Sequence, residues 1–239
     1  MNSDNNNTNK GVLYLIPCPI VIEKTESLSA ESLTILHRLN HFIVERAKTA
    51  RHFIKSSGHP ESISNLTIHE ITTDHAKNDE FLAVLLSGIS VGVISEAGCP
   101  GVADPGAEMV AWAHKNHVKV VPLVGPSSIL LALMGSGFSG QSFAFNGYLS
   151  NKKPQITTDL KALEQKARKL KQTQLFMETP YRNGFLIEAC LSALEENTML
   201  CIACNINADD ETIITQSIKN WKKTDFTSYH KKPTIFIIG

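Results

Sequence analysis

Short apolar runs punctuate the chain at residues 12–16, 42–45, 66–70, 91–94 and 118–122. Between them, residues 28–39, 49–55, 79–86 and 105–116 carry apolar positions at helical spacing. Strands that alternate with helices in this rhythm predict a mostly parallel sheet with helices on both faces. Asp104-Pro105 reads as the start of the fourth helix, with an acceptor at the cap and proline in the first helical position. His114 and Lys115 then fall in its last turn, where cations complement the helix dipole.

The texture changes after residue 122. Residues 127–135 read as a small-residue helix, 142–148 as a strand, and 152–173 as a charged amphipathic stretch. Residues 174–178 read as a strand, followed by a helix from about Pro180 to Leu194. Three further strands are expected at 199–205, 211–215 and 234–238, at least two of them antiparallel. The expected organisation is a polar, disordered lead-in at 1–10, an N-terminal α/β domain at 11–122 and a C-terminal α/β domain at 123–239.

Composition adds limits. The 239 residues carry 23 Lys plus Arg against 23 Asp plus Glu, so no broad basic surface is available for indiscriminate nucleic-acid capture. No apolar run approaches the roughly 20 residues of a membrane span, and the Asn-rich opening is not a secretory signal. A cytoplasmic location follows, with no membrane partner. Five scattered cysteines suit a reducing compartment. Cys201 and Cys204 form a CxxC, but within a strand they point to opposite faces, and no second ligand pair accompanies them. His37 and His41 are four apart on an expected helix, without the glutamate of a zinc-protease motif. No metal site is expected.

Chemistry concentrates in three loops that follow strands. The second, within VGVISEAGCPGVADPG at 91–106, drops side chains at Gly98 and Gly101 where a ligand would approach the backbone. The third, VGPSS at 124–128, sets Ser127 and Ser128 at a helix start, either to cap it or to present hydroxyls to a ligand. The first, Pro17–Pro19, lacks the glycines of a phosphate cradle. In open parallel sheets, ligands bind beyond the carboxyl ends of the strands, where all three loops lie. That grouping suits a polar, non-phosphorylated cofactor better than a nucleotide triphosphate.

The runs LYLIPCPI, SEAGCPGVADPG, VVPLVGPSS and FAFNGYLSNK, in this order, resemble the ribosomal RNA small-subunit methyltransferase I branch of the tetrapyrrole methylases. LFMETPYR and KKPTIFII resemble later segments of the same branch. The resemblance implies two α/β domains with a mostly parallel N-terminal sheet, a mixed C-terminal sheet and S-adenosylmethionine in the interdomain cleft. A homodimer, small-subunit ribosomal RNA as substrate and S-adenosylhomocysteine as product are implied with it. By match, Pro17 and Ile20 line the first loop, Ser95, Gly98, Cys99 and Val102 the second, and Ser128 with Ile129 the third. Met177, Ala203 and Pro233 fall where the family's second domain meets the cofactor.

The departures bear on the acceptor. Val21-Ile22-Glu23 replaces the family's Gly-Asn-Leu, and Glu45-Arg46-Ala47-Lys48 replaces Glu-Asp-Thr-Arg. Glu96 stands for the family's aspartate, and the charged segment near residue 205 becomes Cys-Asn-Ile-Asn-Ala. The family's C-terminal extension has no counterpart before Gly239. Methylation of a ribose 2′-hydroxyl benefits from a base. With Arg46 in place of the acid, that role passes to Glu45, Glu178 or His75. Each has a plainer use: Glu45 pairing with Arg46 or Arg51, His75 on an exposed loop, Glu178 capping the next helix. A small-molecule methylase of tetrapyrrole type, or a cofactor-binding protein with reduced catalysis, is the alternative.

Overall fold

The computed structural model describes residues 10–239 and forms two compact units, the first ending at Ser127 and the second running from Ser128 to Gly239. All of the expected lead-in except Lys10 lies outside the described residues. Among those described, no helix is long and apolar enough to cross a membrane.

The first unit holds five strands: β1 (Val12–Ile16), β2 (His41–Val44), β3 (Thr67–Glu70), β4 (Val91–Ile94) and β5 (Lys119–Pro122). They pair in the order β3-β2-β4-β1-β5, every pair parallel. Parallel strands need crossovers, which bring helices onto both faces and bury both sides of the sheet. Phe42 and Val44 accordingly pack with Ile16, Ile94 and the helices α1 (Ala30–Leu36) and α2 (Ala47–Ser56). Ile43 points the other way, into a cluster with Leu13, Val93, Leu82 of α3 (His75–Leu82) and Met109 of α4 (Ala107–Lys115). Fully burying a side chain such as Phe42 or Ile43 stabilises the fold by about 1.5–3 kcal/mol.

The second unit is built on a mixed sheet of β6 (Phe143–Tyr148), β7 (Thr173–Glu178), β8 (Met199–Cys204), β9 (Thr212–Ser217) and β10 (Thr234–Ile238). Its order is β6-β7-β10-β8-β9; β6 and β7 are parallel and the other pairs antiparallel. Phe176, Ile202 and Phe236 face α6 (Lys153–Leu170), α7 (Asn183–Ala193) and Trp221 of the short α8 (Ile218–Trp221). The Trp221 indole donates to the Leu200 carbonyl at 2.8 Å, so its one polar atom is satisfied inside the core. The helix α5 (Ser128–Ser136) covers the opposite face, against β8, β9 and β10.

Several local expectations need correction. The fourth helix begins at Ala107, with Gly106 as its cap, rather than at Asp104-Pro105. The preceding loop closes on itself instead: Gly101 donates to the Pro105 carbonyl at 3.1 Å and Val102 to Cys99 at 3.2 Å. His37 and His41 do not share a helix. His37 follows the last residue of α1 and shares a 2.9 Å hydrogen bond with the Ser57 carbonyl, whereas His41 opens β2. His75 is exposed, but it starts α3 rather than lying on a loop, because Asp74 caps that helix through the Ala76 amide. The charged stretch stops at Leu170, and Thr173 already belongs to β7. Cys201 and Cys204 are buried, unbridged and on opposite faces of β8.

Candidate functional site

The three sequence-predicted loops of the first unit meet. The loop after β1 and the loop after β4 are joined by a two-way backbone bridge, Cys18 donating to Gly98 at 2.8 Å and Gly98 to Cys18 at 3.1 Å. The Cys18 thiol adds a bond to the Ser95 carbonyl at 3.2 Å. The loop after β5 closes on the other two: the Cys99 thiol donates to the Pro126 carbonyl at 3.3 Å. On its first side, a Cβ added at Gly125 would stand 2.1 Å from the Pro17 side chain. Gly98 has φ +67°, a backbone that suits glycine, and its α-carbon lies beside the Pro126 carbonyl. Pro17, Ile20, Ser95, Gly98, Cys99, Val102 and Ser127 are therefore on converging segments. Ser95 is buried; Val102 is exposed.

Acidic groups gather beside this junction, at the carboxyl ends of β2 and β4. Glu45 accepts the Glu96 amide hydrogen at 3.0 Å, so its backbone-facing oxygen is engaged. Glu96 accepts from the Thr49 hydroxyl and lies 3.9 Å from the Arg46 guanidinium. Arg46 thus approaches Glu96, not Glu45 as the sequence suggested. Asp104 completes the group. Burial, then the Glu45 and Glu96 carboxylates, push its pKa up to about 6, against a smaller lowering by the Ser95 hydroxyl. Burial first, and these same carboxylates after it, raise the Cys18 thiol well above its ordinary range, which keeps it a neutral thiol. Burial and Asp104 raise Cys99 too.

Asp104 is the functional candidate that sequence reasoning missed. Its position before Pro105 reads as a helix cap, a role that Gly106 holds instead; the signal in the sequence is its place in the Gly-rich loop. It lines an open cleft of about 510 Å³ together with Thr72, His75, Gly106, Glu108 and Met109. His75 and Glu108 pair at 3.1 Å, Nδ1 to carboxylate oxygen.

The second unit holds the remaining predicted residues. Ser128 and Ile129 open α5, with Ile129 buried. Met177 and Ala203 both register with Ile235, on its two sides, so they share one sheet face. Pro233 is exposed just before β10, and its carbonyl accepts from Asn205 at 2.8 Å. Glu178 is buried, holds Arg182 at 3.1 Å and accepts the Thr179 amide at 2.8 Å; it satisfies its own neighbourhood. A groove of about 680 Å³ along α6 contains none of the predicted residues, and its Arg168 is bound to Glu164, Glu195 and Thr198.

The architecture is the two-unit α/β fold of tetrapyrrole methylases. A uroporphyrin-III-C-methyltransferase structure from Thermus thermophilus superposes with a TM-score of 0.58 over 96% of this chain and 92% of its own, at 15% identity. No family model matches the chain. Sequence similarity goes further. A ribosomal RNA small subunit methyltransferase I from Vibrio cholerae is 30% identical over 203 residues, 84% of this chain and 67% of that protein. One from Buchnera aphidicola is 27% identical over 98% of this chain and 80% of its own length. Other relatives of that description are matched over only 57% to 62% of theirs. The chain belongs to the ribosomal RNA small subunit methyltransferase I family.

Proposed function

We propose that the chain is an S-adenosylmethionine-dependent methyltransferase that modifies a ribose 2′-hydroxyl, that of a cytidine, in small-subunit ribosomal RNA. The observation that carries the reading is the junction of three strand-following loops, tied by the Cys18–Gly98 bridge and the Cys99–Pro126 bond. The residues fit the cofactor. The converging stretches, residues 17–20, 95–106 and 123–127, contain no lysine or arginine, and they present carbonyls, small side chains and nearby carboxylates, a donor set suited to a sulfonium cation. Pro17, Ile20, Ser95, Gly98, Cys99 and Val102 would hold it, with Ser127, Ser128, Ile129, Met177, Ala203 and Pro233 as the further contacts inferred from the sequence. When bound, the cofactor supplies a methyl group on positively charged sulfur and leaves as S-adenosylhomocysteine. The chain's own contribution is positioning: loops already pinned to one another pay little reorganisation when they align donor and acceptor.

The protein works in the cytoplasm as a homodimer in this reading. Mass spectrometry of small-subunit ribosomal RNA from wild-type and deletion cells tests it. One methylated ribose present in the first and missing from the second is the expected result. Identical methylation in both, together with turnover of a porphyrinogen by the purified protein, would instead support the tetrapyrrole alternative.

A further inference from the structure

A ribose hydroxyl holds its proton too firmly to attack unaided at neutral pH, so a base within hydrogen-bond reach speeds the step. The three groups named from sequence are each engaged: Glu178 with Arg182 and Thr179, His75 with Glu108, and Glu45 with the Glu96 amide. Asp104 differs. Its only side-chain hydrogen-bond contribution comes from Ser95, and among the described residues no lysine or arginine forms a salt bridge with it. It also lines an open cleft of about 510 Å³, together with Thr72, His75, Glu108 and Met109. The loop that frees it from capping α4 is the same loop that bridges to Cys18.

We propose that Asp104 is the general base of this chain, taking the proton of an acceptor ribose hydroxyl admitted through the cleft that His75 and Glu108 border. The inference rests on the ribose-methylation reading above. In the step, the hydroxyl O–H bond breaks and its proton passes to an Asp104 carboxylate oxygen. The acceptor oxygen forms the new bond to the methyl carbon, and the electron pair of the broken carbon–sulfur bond stays on sulfur. One cation and one carboxylate become a neutral thioether and a neutral acid, so charge is conserved. Removing opposite charges together is favourable where burial weakens their solvation.

The neighbours set the pH dependence. Glu45 and Glu96 act on Asp104 and favour its proton-bound form, and Arg46 lies 3.9 Å from Glu96. His75 and Glu108 border the cleft as an exposed pair, and the Cys18 and Cys99 thiols stay neutral. A carboxyl raised to about 6 remains ionised at neutral pH yet binds a proton more tightly than an ordinary aspartate, which matches a base to its task.

The test uses Asp104→Asn and Asp104→Glu in the full chain, with unmodified small ribosomal subunits as acceptor. In the wild type, the single-turnover rate should climb through about pH 6 and then level. Asp104→Asn should lose that climb and fall by about 100-fold or more, Asp104→Glu should recover part of the rate, and calorimetry without RNA should show Asp104→Asn still binding the cofactor, with a loss of affinity far smaller than the loss of rate. Independently of turnover, the Asp104 carboxyl carbon in cofactor-free protein should titrate near 6 and shift when cytidine is added. A wild-type rate and pH profile in Asp104→Asn would overturn the proposal. So would a carboxyl that titrates as an ordinary aspartate and ignores cytidine, and that measurement decides the matter if the variants fail to fold. A wild-type protein that moves no methyl to the subunits would remove the ribose reading itself, a pattern distinct from an active wild type with an equally active variant.

Discussion

At the scale of single residues, Asp104 links function to stability. Its folded pKa is raised, so the proton is bound more tightly in the native state than in the unfolded chain. A carboxyl of this kind costs stability at pH above its folded value and costs nothing below its unfolded value. Asp104→Asn is therefore expected to raise the thermal midpoint at pH 8, with the gain shrinking as pH falls through 6 and vanishing below about 4. Because the group is only partly buried, solvent screening holds the gain to roughly 1 kcal/mol. Scanning calorimetry at pH 8, at about 6 and below about 4 checks both sign and window. Gly125 supplies the opposite kind of prediction. Gly125→Ala would drive a methyl into Pro17, so about 1–3 kcal/mol of stability should be lost, and cofactor affinity with it. Denaturant titration and calorimetry measure the two. Neither property was readable from the chain: Asp before Pro is a sound cap signal, and VGPSS is a sound turn signal. What stands opposite them is decided by the fold: Pro17 meets Gly125 from far earlier in the chain, and Glu45 reaches Asp104 from the end of another strand.

Elements divide into those written in local pattern and those that are not. β1 and β4 coincide with their apolar runs because a central parallel strand is buried on both faces and needs apolar residues throughout. α3 starts four residues earlier than its periodicity implies, since its first turn, His75 to Asn78, holds no large apolar side chain and Asn78 is buried as a hydrogen-bonding group. α8 has no signature in the local pattern: four residues cannot display a helical period, and the helix is held by Trp221, buried with its indole donating to the Leu200 carbonyl. The start of α2 shows the same dependence. Arg46, at its cap, makes no capping bond, and the Ala47 amide is instead satisfied by Glu70, at the end of β3, at 2.7 Å. Glu70→Ala should cost about 1 kcal/mol and leave the fold intact, as urea unfolding will show. A measured change near zero would assign the cap to water.

For the whole molecule, the reading of loops as a cofactor site has a thermodynamic consequence. A ligand that binds only the folded chain stabilises it by mass action, so S-adenosylhomocysteine at about 100 times its Kd should add roughly 2.7 kcal/mol. A midpoint unmoved by any concentration of that product would contradict the cofactor reading. The order of the motifs along the chain, the parallel first sheet and the antiparallel strands of the second were legible in the sequence, because each depends on periodicity and turn chemistry within about 20 residues. So was the family, through four motifs in sequence. The tertiary structure alone decided which polar groups face one another. It turned Arg46 to Glu96, gave the α4 cap to Gly106, and set Asp104 against Glu45 and Glu96 beside the three joined loops. Local pattern records how a residue relates to its neighbours in the chain, whereas burial and charge environment arise only when distant strand ends are brought together.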